Sequence, residues 1–317
     1  MKRLMKCDLC NGKDFEFLFK NHDRMHPIEG EYTIERCRKC GLIFLNPQPT
    51  GRELEKHYPE DFYSFKGKTP RKFKIKLYKT LFSKSNIFLK LIFMPFKVFL
   101  RSIKIVKNGK FLDVGCGSGD FLLVMKELGM DCYGVEPGKF DREFAKRNKL
   151  KIFHGTLEKA EYPDNFFDVI SLTWVFEHVS EPMKTMKELN RILKPNGTLI
   201  MAVPQSNSMM LKLFKENWYG LDTPRHLFIY SPENLELYGK KTGFKLKKKR
   251  YLASNLLPTI LYWKNKFRIK EGKKEIYLRE KNFSQNLFLQ LLFMPFNSVL
   301  GFLGISDSVE VEFEKMK

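Results

Sequence analysis

The opening stretch of this 317-residue chain lacks the apolar core of a secretory signal: Met1–Lys6 is basic, but Cys7–Lys20 is polar. A reducing, cytoplasmic setting is therefore expected, in which paired cysteines read as metal ligands rather than disulfides. Acidic residues are also sparse, with 36 Asp and Glu against 57 Lys and Arg, a net charge of +21. The deficit is local. Residues 61–110 hold one acid against 14 bases, and residues 240–281 hold three against 15. The rest of the chain sums to −4, so a nearly neutral body carries two basic segments. Such segments suit nucleic acid, an anionic membrane surface or an acidic substrate. Histidine is scarce, at six residues, which leaves few side chains to take up a proton near neutral pH. With 43% hydrophobic residues, the chain can bury a sizeable core and wholesale disorder is excluded.

Four of the six cysteines form two pairs, Cys7-Asp-Leu-Cys10 and Cys37-Arg-Lys-Cys40, with 26 residues between them. Each two-residue gap lets both sulfurs of a knuckle face one tetrahedral zinc ion at about 2.3 Å. Gly12 and Gly41 follow the pairs, where a knuckle turn needs a residue tolerant of positive φ. Redox chemistry is the rival reading of a CxxC pair. His22 and His26 lie between the pairs and are expected at the surface, because four thiolates already close a site. A closed site is structural, so a zinc ribbon over residues 1–57 is expected to fold on its metal and present a surface.

Lys110–Gly129 reads KFLDVGCGSGDFLLVMKELG. A short apolar strand, Phe111–Val114, runs into a glycine turn and then a helix with Phe121, Leu122, Val124, Met125 and Leu128 on one face. That succession opens a doubly wound α/β fold. A second strand, Asp131–Val135, ends at Glu136, where an acid can hold ribose hydroxyls. Phe167–Val179 reads as a strand entering a polar turn. Glu188–Val203 reads as a helix, a Pro-Asn-Gly turn and a further strand.

These motifs, DVGCGSG, a Glu-His fourth motif and RILKPNG, resemble the class I S-adenosylmethionine-dependent methyltransferases over roughly residues 109–250, in the branch that includes ubiquinone-type and sugar methyltransferases. The cysteine pairs, GLIFLNPQP and PRHLFIYSPENLELYGKKTGF resemble a bacterial subgroup with an N-terminal zinc ribbon, linked to deoxysugar, surface-glycan or related secondary metabolism. The resemblance implies a Rossmann-like sheet ending in an antiparallel hairpin, with S-adenosylmethionine as methyl donor. It implies that Gly115, Gly117 and Gly119 cradle the methionine moiety and that Asp113 orients its ammonium, directly or through water. Glu136 would take both ribose hydroxyls. Thr156, where the family often has Asp, and Leu157 would meet the adenine. Thr173 and Trp174 would line the methionine side. Cys116 reads as a small packing residue.

Methyl transfer is an in-line displacement that needs alignment, a dry pocket and, for some acceptors, a base. His226, in the loop after the fifth strand, and His178, ending the fourth motif, are the candidates. Arg225 would bind an acidic group of the acceptor, or pair with Glu177 or Asp222. The Asn/Asp-Pro-Pro-aromatic motif used on exocyclic base amines is absent, with Ser-Leu-Thr-Trp from position 171 instead. Oxygen or carbon acceptors are therefore expected, chosen by the loops 58–87 and 204–230.

Residues 88–105 and 288–305 match at 9 of 18 positions, Phe-Met-Pro-Phe included. The first copy carries Lys90, Lys97, Arg101 and Lys104 beside an apolar face, the pattern of an interfacial helix. The second lies in a charge-free run of 25 residues, Asn282–Ser306, interrupted by polar residues. Residues Lys245–Leu252 and Val309–Phe313 read as the final hairpin, so both ends of 254–306 stay on one side of any membrane. The expected organisation is 1–57 zinc ribbon, 58–108 basic and apolar helical segment, 109–253 with 307–317 methyltransferase domain, and 254–306 helical insertion. Segments 86–105 and 254–306 would touch the inner membrane face peripherally, or pack as a lid or subunit interface. The expected acceptor is a small molecule, glycan or lipid-linked sugar. An RNA methyltransferase is the alternative. Against it, the basic stretches are Lys-rich and abut apolar runs, whereas RNA surfaces interleave Arg with aromatics. A non-catalytic partner is opposed by the intact glycines and Glu136.

Overall fold

The computed structural model describes residues 1–24, 26, 28–58, 67, 69–70, 72–82, 87–88, 100–252, 259 and 287–317. Most of the first apolar copy and the basic part of the insertion, 260–286, lie outside the described residues.

The N-terminal module is a small sheet of β1 (Phe15–Asn21), β2 (Tyr32–Cys37) and β3 (Ile43–Leu45), all antiparallel. Its fourth strand is β9 (Phe228–Ile229), which pairs with β3 from almost 200 residues downstream in the chain. The boundary expected near residue 57 is therefore crossed by a shared sheet. Two short helices follow the module, α1 (Arg52–Glu55) and α2 (Lys72–Phe82).

The larger sheet has the order β10-β11-β8-β7-β4-β5-β6. The parallel strands are β4 (Lys110–Val114), β5 (Asp131–Glu136), β6 (Lys151–His154), β7 (Phe167–Thr173) and β8 (Leu193–Pro204). β4 and β7 are apolar and buried along most of their length, as strands covered on both faces must be. The crossovers are α3 (Asp120–Glu127), α4 (Arg142–Arg147) and α5 (Pro182–Ile192). α5 starts with Pro182, whose missing N–H costs nothing in the first turn, and buries Met186, Leu189 and Ile192 at helical spacing. After β8 come α6 (Met209–Phe214) and α7 (Pro232–Lys241). Ser231 and Asn234 close a reciprocal capping box on α7. β10 (Phe244–Tyr251) and β11 (Ser308–Lys315) form the expected antiparallel hairpin, with β11 paired to β8. The apolar helix α8 (Leu287–Phe302) sits between them in sequence.

Two local expectations are corrected. The positive-φ residue of the first knuckle is Asn11 (φ 56°), not Gly12. Gly12 is needed for space instead, because a Cβ there would lie 3.1 Å from Cys37 Sγ and 3.2 Å from Cys10 Sγ. The Pro-Asn-Gly stretch does not separate helix from strand. β8 already begins at Leu193 opposite Phe167, and the register jumps to Val169–Thr198, so the extra residues are absorbed as an irregularity with Asn196 at φ 61°.

Among the described residues no helix is long and apolar enough to cross a membrane. On α8, Leu292, Phe296, Val299 and Phe302 are exposed, Phe302 to 91%, while Leu300 anchors the helix in the core.

Candidate active site

Strand order reverses beside β4: β5 and β6 lie on one side, β7 and β8 on the other. In open α/β sheets the crevice at that reversal, at the carboxyl ends of the strands, holds the ligand. The glycines stand at that point, with φ of 69° at Gly115, 55° at Gly117 and 90° at Gly119. A Cβ on Gly115 would lie 2.3 Å from Val175 Cγ2, and one on Gly119 2.5 Å from Leu150 Cδ1. Conformation and space both demand glycine here.

Glu136 ends β5 with its Oε2 accepting Gly117 N–H at 2.8 Å and its Oε1 accepting Gly138 N–H at 2.8 Å. Each oxygen keeps a second acceptor position for a ribose hydroxyl. Burial raises its pKa, and the two N–H donors oppose that. Asp113 is 1% exposed. Its oxygens accept from Ser171 Oγ and from Arg101 Nη1 at 3.3 Å. Burial raises its pKa, against the Arg101 charge. Arg101 also lies 4.6 Å over the Phe121 ring. The cation Asp113 meets in the structure is thus Arg101, so a methionine ammonium would have to approach beside it. Thr156 is exposed, but the Leu157 side chain is 4% exposed and belongs to the core, leaving its backbone N–H as the group it can offer. Thr173 ends β7, 8% exposed. Cys116 is buried, its thiol pKa is raised by burial, and its sulfur would lie 2.5 Å from a Cβ on Gly134. That is a packing role.

Past β7 the chain turns sharply. Trp174 adopts φ 62°, unusual for a bulky residue, and leaves its side chain 41% exposed. A 3₁₀ turn, Phe176–His178, follows. Val175, just before it, packs against the glycine turn at Gly115, and His178 ends it. There the ring of His178 lies 4.7 Å from that of His226. His178 Nδ1 is 2.9 Å from the Arg225 carbonyl and His226 Nδ1 is 2.8 Å from the Gly220 carbonyl. A carbonyl only accepts, so both rings carry their proton on Nδ1 and keep a lone pair on Nε2. His226 Nε2 is 3.9 Å from Glu177 Oε1 and 3.8 Å from Asp222 Oδ2. Glu177 is fully buried, and among the described residues neither carboxyl oxygen has a hydrogen-bond partner.

Burial, with the Asp222 charge adding to it, pushes the Glu177 carboxyl up to about 8. Burial also lowers His178 to about 3, helped by the charges of His226 and Arg225, and lowers His226. Both imidazoles are therefore neutral near pH 7. The donor atoms of Glu177, His178 and His226 all lie within 4.8 Å of one another. Such a cluster can accept and pass a proton, or share a divalent cation.

Arg225 does not face the acceptor. It is fully buried and paired with Asp222, as one sequence alternative had it, and with Asp23 from the N-terminal module. Asp23, His57 and Tyr58 were not singled out in the sequence. They lie far from the motifs in the chain, and only the fold brings them to Arg225 and His178.

The four cysteines also converge. Cys7 Sγ lies 3.6 Å from Cys40 Sγ and Cys10 Sγ 3.5 Å from Cys37 Sγ, and all four sulfurs lie within 4.8 Å of one another. A tetrahedron with metal–sulfur bonds of about 2.3 Å has sulfur–sulfur edges of about 3.8 Å, so the donor set fits zinc. The two knuckles repeat one hydrogen-bond pattern: Asn11 N–H to Cys7 O and Cys7 N–H to Gly12 O, then Gly41 N–H to Cys37 O and Cys37 N–H to Leu42 O. The module is fixed to the larger domain by Asp8, which accepts Met183 N–H at 3.0 Å and Tyr238 O–H at 2.8 Å.

A family model described as a methyltransferase domain matches residues 94–249. The chain is 30% identical over 167 residues to a ubiquinone biosynthesis O-methyltransferase of Pelagibacter ubique, a match covering 49% of this chain and 70% of that protein. It is 27% identical over 127 residues to a demethylmenaquinone methyltransferase of Staphylococcus aureus, covering 37% of this chain and 51% of that one, so it spans only about half of this second relative. Among solved structures, the YcgJ protein of Bacillus subtilis aligns with a TM-score of 0.45 at 18% identity, over 72% of this chain and 98% of that one. With the glycine turn, Glu136 and the reversal of strand order on one crevice, the chain belongs to the class I S-adenosylmethionine-dependent methyltransferases.

Proposed function

We propose that the enzyme methylates an oxygen or carbon of a small, partly lipophilic metabolite, with glycans and lipid-linked sugars among the candidates, and that His226 takes the acceptor's proton with His178 beside it. The observation that supports this is the pair of imidazoles whose Nε2 lone pairs are set by carbonyls behind them, next to a buried carboxyl group that no group among the described residues satisfies. A hydroxyl or acidic C–H brought to the sulfonium methyl would lose its proton to His226 Nε2 as the new bond forms. Glu177 would then face the resulting imidazolium. The cofactor supplies the methyl group. Gly115, Gly117, Gly119 and Glu136 would hold it, with Asp113, Thr156, Leu157 and Thr173 around it. Zinc at Cys7, Cys10, Cys37 and Cys40 would be structural.

Quinone methylation in the named relatives supports a lipophilic acceptor. So does the exposed apolar row of α8. The helix backs onto β10 at Gly301 and Tyr251, and β10 exposes Lys245, Lys247, Lys248 and Lys249. An apolar row beside lysines fits an anionic membrane surface. Together with 86–105 and the rest of 254–306, this would place the enzyme at the inner membrane face. The test is transfer of radiolabel from S-adenosylmethionine into lipid-soluble and water-soluble cell extracts. Label in a small metabolite is expected, and label confined to RNA would contradict the reading. Activity that is lost in chelator and returns only with added magnesium would instead assign Glu177, His178 and His226 to a cation.

A further inference from the structure

The acceptor side and the four-cysteine module meet at one buried arginine. Arg225 Nε donates to both oxygens of Asp222 at 3.0 Å, and Nη2 reaches Asp222 Oδ1 at 2.6 Å. Nη1 donates to Asp23 Oδ2 at 2.8 Å and to the His57 carbonyl at 3.0 Å, while Nη2 also meets Asp23 Oδ1 at 3.0 Å. The guanidinium is thus forked onto two carboxylates, one from its own turn and one from the module. Asp23 is held from behind, with His57 Nδ1 2.7 Å from its Oδ2 and Tyr32 Oη 2.9 Å from His57 Nε2. The neighbouring residues repeat the grip: Asn21 Nδ2 donates to Thr223 Oγ1 at 3.0 Å, and Arg24 donates to Asn217.

The backbone of Arg225 connects this clamp to the candidate chemistry. Its carbonyl is the acceptor that puts the His178 proton on Nδ1, and the next residue is His226. Loss of the Asp23 pairing would leave a fully buried guanidinium partly unpaired and so loosen the turn that carries both this carbonyl and the following ring. We propose that Asp23, backed by His57, is a positioning residue that acts through Arg225 on both imidazoles, so that the four-cysteine module sets the geometry of the acceptor side from behind. This rests on the reading of His178 and His226 given above. Replacing the module's contribution disturbs the acceptor side and leaves the cofactor side alone, because Glu136 and the glycine turn have no member in the clamp.

The test compares full-length wild type with Asp23→Asn, Asp23→Glu and His57→Gln. Three quantities are measured on each: affinity for S-adenosylhomocysteine by calorimetry, the ring-nitrogen signals of His178 and His226 by NMR, and transfer of radiolabel into the extract fraction that wild type labels best. For Asp23→Asn, affinity should stay within about twofold, both rings should shift, and turnover should fall about 100-fold at unchanged KM for the methyl donor, the scale of a misplaced group. Asp23→Glu should restore part of both signals and turnover. His57→Gln, which keeps the Asp23–Arg225 pair, should shift the same rings by less. Unmoved ring signals in Asp23→Asn and His57→Gln would overturn the proposal. So would loss of homocysteine-analogue affinity in parallel with turnover, since Asp23 would then only hold the fold. Shifted rings together with full activity in a His226→Asn protein would sink the proton-acceptor reading and leave the positioning intact.

Discussion

Two glutamates at the carboxyl edge of the same sheet, one half-buried and one fully buried, are treated in opposite ways. Glu136 has backbone N–H donors on both oxygens, and Glu177 has no hydrogen-bond donor on either among the described residues. The proposed cofactor half is held by its own backbone, as a site of fixed specificity can be. The proposed acceptor half keeps a buried carboxyl group with no hydrogen-bond partner among the described residues. A desolvated polar group of that kind costs roughly 1–3 kcal/mol, which makes this half the part of the site that a reacting partner would complete.

Removing metal should break the comparison most severely. With a strong chelator, the module should lose its fold, as the proposed closure of four thiolates around one zinc ion requires. Residues 1–57 should become protease-sensitive and methyl transfer should stop, while S-adenosylhomocysteine still binds. Unchanged proteolysis after chelation would show that zinc does not hold the module. Next in size, Glu136→Gln should weaken S-adenosylhomocysteine binding by about 2 kcal/mol, roughly 30-fold, through loss of the charge behind its hydrogen bonds. Calorimetry showing wild-type affinity would remove Glu136 from the ribose.

The pH dependence of stability should follow the opposite shifts of Glu177 and His178. Glu177 titrates near 4.5 unfolded and about 8 folded. The folded state therefore holds more protons between those values, and stability falls as pH rises through the window. His178 moves from 6.5 to about 3, so its contribution is lost as pH drops below 6.5. The two slopes oppose one another between 4.5 and 6.5. Above 6.5 only the loss from Glu177 remains. Thermal midpoints should thus decline from pH 6.5 to 8 in wild type, and Glu177→Gln should flatten that decline. An equal decline in both proteins would assign it elsewhere. The smallest effect should come from Phe302→Asp. Phe302 is 91% exposed, and removing one apolar anchor worth roughly 2 kcal/mol should weaken binding to anionic vesicles more than tenfold without changing cofactor affinity. Equal binding would remove α8 from the proposed membrane contact.

The local structure of the motifs assigned to the cofactor was legible in the sequence because they are contiguous. The glycine turn and the strand-ending acid lie within one strand–turn–helix–strand unit, where local conformation dictates residue type. The cysteine knuckles were legible for the same reason, although Asn11 took the turn assigned to Gly12. His178 and His226 were named, but their mutual contact and the tautomers set by Arg225 and Gly220 depend on the fold. Asp23 and Arg225 are 202 positions apart, and nothing in the spacing of either points to the other. β9 is two residues long and pairs across modules, too short for any periodicity to reveal. Arg101 read as one of the charges of the basic segment, yet it lies against Asp113 within the sheet's covering layer.

The most direct test of the account measures one protein twice. In His226→Asn, S-adenosylhomocysteine affinity should match wild type while radiolabel transfer falls at least 100-fold, the usual contribution of a positioned base. Wild-type transfer by that protein would contradict the proposed chemistry of the acceptor half.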